Sequence, residues 1–317
     1  MDSEMSPGAL RVAPEVVLDS ITTIIDDTAV LHRLALEIPA GQVTVLMGPS
    51  GAGKTTLIKH ILGLLEPDGG TVLIGGQDIW ESSPQEWREL RRNLGAMLGG
   101  SYLFTTSTFS SMTVLENLTY TLEALGVPAE QRHDRAMARL GELQLADVAD
   151  RKPEALPAHA TKRLALARAL VTDAPLVVLD EIDVGLDRDH SDAMVDAVLA
   201  LRRRTGCTLL ITTHNLALAQ SIADHLAILV NGRIVAFGPP REVLDGIKST
   251  EDFDRRFEFS DFTGPPKLDE AEADADRRPA QPVRKKTLGV DSQMIWIAVI
   301  AVIVIVAILL AVQVKLF

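Results

Sequence analysis

The chain is poor in cysteine, in aromatic rings and in positive charge. A single cysteine, Cys207, stands among 317 residues. That excludes an intramolecular disulfide and any multi-thiolate metal site, and it suits a reducing compartment. Aromatic residues make up only 4%, so rings on which a base can stack are scarce. Lys and Arg number 31 against 43 Asp and Glu, a formal net charge of −12. With a pI near 5.1, the basic footprint of a nucleic-acid-binding protein is missing. No internal repeat is present. The opening MDSEMSPGALRV carries acids and a proline but no apolar run, so no secretory signal is expected. Hydrophobic residues make up 47%, which excludes disorder of the chain as a whole. The length accommodates one large domain or two smaller ones.

A mean hydropathy of +0.16 is odd for so acidic a chain. Its source is the run from Met294 to Val312, MIWIAVIAVIVIVAILLAV, which holds no charge. About 20 such residues span a hydrocarbon core of roughly 30 Å. A single transmembrane helix is therefore expected over 294–314, as a C-terminal anchor. Arg284, Lys285 and Lys286 precede it and place that side in the cytoplasm. Trp296 suits the interface. Residues 249–293 read as an extension followed by a charged linker. The stretch LDEAEADADRRPAQPVRKK is too polar to fold alone, and its basic end suits anionic lipid headgroups. The preceding FDRRFEFSDFTGPP is rich in phenylalanine and is expected to be ordered.

Residues 1–248 alternate strand-like and helix-like patterns. VTVLMG, PLVVLD and TLLITTH are short apolar runs of the buried-strand type, and each precedes a helical pattern. The expected fold is α/β with a mostly parallel sheet. In AILVNGRIVAFG an Asn-Gly pair between apolar runs marks a hairpin.

GPSGAGKT, from Gly48 to Thr55, matches G-x-x-x-x-G-K-[ST] between a strand and a helix. Backbone N–H groups of Gly48, Pro49, Ser50, Gly51, Ala52, Gly53, Lys54, Thr55 and Thr56, proline excepted, are positioned around phosphates. Lys54 reaches the β- and γ-phosphates, and Thr55 ligates Mg2+. The helix N-terminus adds its dipole. LVVLDE places Asp180 and Glu181 at a strand end. Asp180 is placed to hold Mg2+ through water, and Glu181 to orient or deprotonate the attacking water. The cofactors implied are ATP and Mg2+.

With these motifs, residues 14–246 resemble the nucleotide-binding subunits of ABC transporters. LHRLALEIPAGQVTVLMGPSGAGKTTLIKHILGLLEPDGGTVLIGGQDI is similar to the family's first half throughout. The resemblance implies a P-loop NTPase of ABC type, with a mixed-sheet core, a helical subdomain and ATPase activity. HILGLLEPDGGTVLIGG, MTVLENLTYTL and the RRF…GPP tail resemble the Mla/Mce type, which implies lipid transport. The resemblance makes His214 the switch histidine at the γ-phosphate and makes VGLDRD the D-loop, with Asp187 its acid. It implies permease subunits and a second nucleotide-binding subunit as partners. It implies a position at the inner membrane with the nucleotide domain in the cytoplasm, and no nucleic acid partner.

Three family elements are altered. The signature LSGGQ reads LPAHA, so Pro157, Ala158 and His159 replace Ser-Gly-Gly. Proline has no N–H, and a Cβ prevents close approach to a phosphate. Gly99 stands where the Q-loop glutamine is expected, and a Ser/Thr-rich stretch, TTSTFSSMT, follows it. Either that stretch is a surface insert or it alters coupling to a membrane partner. No aromatic stands near Ile25, where one would stack on adenine. An ABC dimer builds each site from the Walker motifs of one chain and the signature of the other. Intact Walker residues beside a lost signature favour an asymmetric heterodimer over an impaired homodimer. The alternative is a regulatory subunit that binds nucleotide with little or no hydrolysis.

Overall fold

A computed structural model describes residues 12–99 and 107–259, with Phe262 and Gly264. The chain divides into units 1–277 and 278–317, and every described residue lies in the first. In chain order the strands are β1 (Val16–Ile25), β2 (Thr28–Ile38), β3 (Val43–Met47), β4 (Gly69–Ile74) and β5 (Gln77–Asp78), then β6 (Leu94–Met97), β7 (Leu176–Leu179), β8 (Thr208–Thr212), β9 (His225–Val230) and β10 (Arg233–Gly238). The helices are α1 (Lys54–Ile61), α2 (Pro84–Arg91), α3 (Ser107–Ser111), α4 (Val114–Ala124) and α5 (Ala129–Glu142), then α6 (Ala158–Leu170), α7 (Arg188–Thr205), α8 (Leu216–Ile222), α9 (Pro240–Val243) and α10 (Thr250–Arg256).

Two sheets carry the fold. One is six-stranded, β10-β9-β3-β8-β7-β6, and the other four-stranded, β2-β1-β4-β5. In the larger sheet β6, β7, β8, β3 and β9 are parallel, and β10 closes the edge antiparallel to β9. Every residue of β3, β7 and β8 is buried. Burial on both faces is why these strands read as unbroken apolar runs rather than as alternating patterns. One apolar cluster joins this sheet to α4–α8. The other joins it to α1 and the four-stranded sheet. Each fully buried Leu or Ile contributes about 1.5–3 kcal/mol of burial free energy.

The α/β expectation holds, with a mixed sheet core and a helical segment. The Asn-Gly turn joins β9 to β10 with Val230 paired to Arg233. Asn231 (φ 49°) and Gly232 (φ 72°) are both left-handed, the combination a type I′ turn requires. Helix α1 is shorter than its apolar pattern. Gly63 turns the chain at φ 60°, and a Cβ there would lie 2.2 Å from the Trp87 ring. Cys207 is buried, and burial raises its thiol pKa, in keeping with a small core residue.

The Ser/Thr-rich stretch is partly helical. Within α3, Phe109 lies 3.7 Å under the Arg168 guanidinium and edge-on to Tyr120. The phenylalanine-rich extension also packs. Phe253 is buried, and its ring meets those of Phe257 and Phe259. The extension therefore belongs to the first unit beyond the expected boundary at 248. Among the described residues no helix is long and apolar enough to cross a membrane. The apolar run 294–314 and most of the linker lie outside the described residues.

Candidate active site

The site forms where β3, β8 and β7 end side by side. Leu46 pairs with Thr212, and Ile211 with Leu179. The segments that follow these strands, 48–55, 213–215 and 180–187, therefore leave the sheet at one edge, the carboxyl edge where parallel α/β sheets bind ligands.

The phosphate loop owes its shape to its glycines. Gly53 caps α1 at φ 103°, and a Cβ there would strike Leu31 and the Val30 carbonyl at 2.8 and 2.9 Å. A Cβ on Gly48 would lie 2.3 Å from the Leu229 carbonyl oxygen. Gly51, at φ 83°, faces the Phe262 ring. Gly48, Pro49, Ala52, Gly53 and Lys54 are buried, Ser50, Gly51 and Thr55 are exposed, and Thr56 is intermediate. Lys54 Nζ donates to the carbonyls of Gly48 and Pro49 at 2.7 and 3.0 Å. Burial lowers the Lys54 pKa, while Asp180 and Glu181 pull against that shift.

Asp180 is the hub. Thr55 Oγ1 donates to its Oδ2 at 2.9 Å, and Thr212 Oγ1 donates to its Oδ1 at 2.7 Å. Thr212 also accepts the Glu181 N–H at 2.7 Å. Glu181 sits at φ 53°, a left-handed conformation that costs a residue with a Cβ on the order of 1–3 kcal/mol. The oxygen donors gathered here suit a hard cation such as Mg2+. Among the described residues no group of three or more His, Cys, Asp or Glu could hold a metal. A cation here therefore also draws on Thr55, phosphate oxygens and water.

His214 follows β8 and is exposed. Its pKa is lowered first by desolvation, then by Lys54, against the pull of Glu181, Asp183 and Asp180. It thus lies in the field of the same groups. Thr213 Oγ1 donates to Asp183 Oδ2 at 2.8 Å, and Asn215 caps α8. Asp187 caps α7 by accepting from the His190 N–H at 2.9 Å, and its Oδ1 lies 2.6 Å from His190 Nδ1. The structure thus brings together Lys54, Thr55, Asp180, Glu181 and His214. The sequence reading missed Thr212 and Lys162. Lys162 Nζ donates to the Val184 carbonyl, and burial lowers its pKa against the pull of Asp183, Glu181 and Asp180. The only signal for Thr212 is its place in TTH, two residues before His214.

The altered motifs have structural consequences. Pro157 is the N-cap of α6, where the family serine would fall, and no side chain caps that helix. Ala158, Gly99, Lys162 and the acid pair line one cavity of about 350 Å³. Ile25 is 44% exposed at the end of β1.

Comparison with known proteins agrees with this geometry. Residues 31–183 match the family model described as ABC transporter. A Mycobacterium leprae protein named probable ribonucleotide transport ATP-binding protein mkl is 32% identical over 251 residues, 79% of this chain and 70% of its own. The methionine import ATP-binding protein MetN of Corynebacterium jeikeium is 32% identical, over 75% of this chain and 66% of its own. The solved dimeric ATP-binding cassette MJ0796, bound to ADP and Pi, superposes with a TM-score of 0.65 at 26% identity, over 71% of this chain and 99% of that one. The chain belongs to the ATP-binding subunits of ABC transporters. The names of these relatives speak of ribonucleotide and methionine transport rather than of lipid.

Proposed function

We propose that this chain hydrolyses ATP as one half of an asymmetric nucleotide-binding dimer that drives a membrane permease. One observation carries the reading. Lys54, Thr55, Asp180 and Glu181 form a connected site, while Pro157 leaves the N-terminus of α6 without a side-chain cap. Backbone amides of the loop and Lys54 bind the phosphates; Thr55, with Asp180 through water, would hold Mg2+, which when bound would supply charge neutralisation at the phosphate oxygens. Glu181 orients the attacking water and takes its proton, and His214 contacts the γ-phosphate. The partner chain supplies an intact signature to this site.

The apolar run 294–314 is the proposed anchor, with the nucleotide domain on the cytoplasmic side. It raises the local concentration of the subunit at the permease. The likeness of HILGLLEPDGGTVLIGG and MTVLENLTYTL to the Mla/Mce type supports a lipid cargo. The relatives' names offer ribonucleotide or methionine instead. A second reading, nucleotide binding that signals without turnover, rests on the altered signature, and the acid at Glu181 opposes it. The test is purification of the tagged full chain in mild detergent with identification of what accompanies it. A permease and a second nucleotide-binding chain with an intact signature support the proposal. Recovery of the chain alone, as a homodimer with brisk turnover, contradicts it.

A further inference from the structure

The loop that follows Asp180 is fastened from two sides. From the end of β8, Thr212 Oγ1 accepts the Glu181 N–H at 2.7 Å, the Thr212 carbonyl accepts the Ile182 N–H at 3.4 Å, and Thr213 Oγ1 donates to Asp183 Oδ2 at 2.8 Å. From α6, the Lys162 ammonium donates to the Val184 carbonyl. These bonds fall on consecutive residues, Glu181, Ile182, Asp183 and Val184. They hold a loop that begins with a left-handed glutamate, at φ 53°. Such a conformation persists only where the surroundings over-determine it. Lys162 also lines one cavity with Val184, Asp180 and Glu181. Its ammonium is partly withdrawn from water, and desolvation lowers its pKa against the pull of Asp183, Glu181 and Asp180. Attraction to these acids keeps the side chain turned toward the loop.

We propose that Lys162 is a positioning residue for ATP hydrolysis: by holding the Val184 carbonyl, it fixes the loop that aims the Glu181 carboxylate at the attacking water. This role rests on the ATPase reading given above and extends it. It places part of the control of Glu181 in α6, the helix that begins at the altered signature. A shift of α6 then reaches the acid through the Lys162 side chain. Lys162 itself binds neither the phosphates nor the cation, so its loss slows the chemical step without weakening nucleotide binding.

The test uses the full chain in mild detergent, with the partners that co-purify with it. Lys162→Met removes both charge and donor, and Lys162→Arg keeps both. Lys162→Met is expected to lower kcat about tenfold or more, the scale on which misplacing a reacting group acts. Its KM for ATP and its affinity for a fluorescent ATP analogue stay unchanged, which also shows that the site is folded. Lys162→Arg is expected to recover most of the lost kcat. An undiminished kcat in Lys162→Met would overturn the proposal while leaving the ATPase reading standing. So would a loss shared between kcat and ATP affinity, or one as deep in Lys162→Arg, because a packing role alone produces those. Turnover of the unaltered complex no higher than that of a Lys54→Ala control would overturn both.

Discussion

The ring of His159, in the altered signature, lies 4.2 Å from the ring of His190 on α7. His190 in turn is hydrogen-bonded to Asp187, the acid that the family resemblance assigns to the D-loop. Residue 159 is thus packed against α7 of its own chain. Restoring the family pattern with Pro157→Ser, Ala158→Gly and His159→Gly frees this contact. It also returns a capping hydroxyl and two unobstructed N–H groups to the start of α6. ATP turnover of the chain purified alone is expected to rise about tenfold or more, given what single phosphate-facing donors are worth. Steady-state phosphate release measures it.

Thr212 links Asp180 to the Glu181 backbone. Thr212→Val keeps the shape and removes both hydrogen bonds, leaving buried groups unpaired. The variant is expected to lose about 1–3 kcal/mol of stability. Turnover in the assembled complex should fall by about tenfold or more, with nucleotide still bound. Denaturant unfolding and phosphate release check the two halves of this expectation.

His60 fastens α1 to β1. Its Nδ1 faces the Leu65 carbonyl at 2.7 Å and therefore carries the proton, so Nε2 accepts from the Thr23 hydroxyl at 2.6 Å. The ring is fully buried, and desolvation lowers its pKa. The unfolded chain then takes up a proton more readily than the folded one. The stabilisation from neutral His60 is complete above the ordinary value of 6.5 and is lost as the pH falls through the lowered folded value. Between about pH 7.5 and about pH 5.5, the urea midpoint of the native chain should fall further than that of His60→Gln.

Ile25 ends β1 with 44% of its surface exposed, near where the family resemblance leads one to expect a ring against adenine. Ile25→Tyr is expected to tighten ATP binding by a few-fold to about tenfold, from a stacking gain of about 0.5–1.5 kcal/mol. Discrimination against GTP should rise with it. Competition binding with the two nucleotides measures both.

The phosphate loop, Asp180, Glu181 and His214 were legible because each follows an apolar run that became a fully buried strand of the central sheet. Local pattern and local chemistry coincide there. The four-stranded sheet was not legible in the same way. In β2 exposed residues alternate with buried ones, and the pairing of β1 with β2 and β4 contains register shifts. Such irregular, half-buried strands give a broken period. The packing of Phe253, Phe257 and Phe259 could be expected from composition, whereas the placement of the Phe262 ring facing Gly51 could not. It joins residues about two hundred positions apart, which no local pattern records. Lys162 and Thr212 act through neighbours supplied by other elements, and they carry no motif of their own.

The most direct test of the asymmetric site is ATP turnover measured on two preparations, the chain alone and the chain in complex with the nucleotide-binding partner that co-purifies with it. The account predicts that the complex turns over ATP, that Glu181→Gln in this chain abolishes the larger part of that activity, and that the chain alone is slow. Brisk turnover by the chain alone, lost on Glu181→Gln, would contradict it.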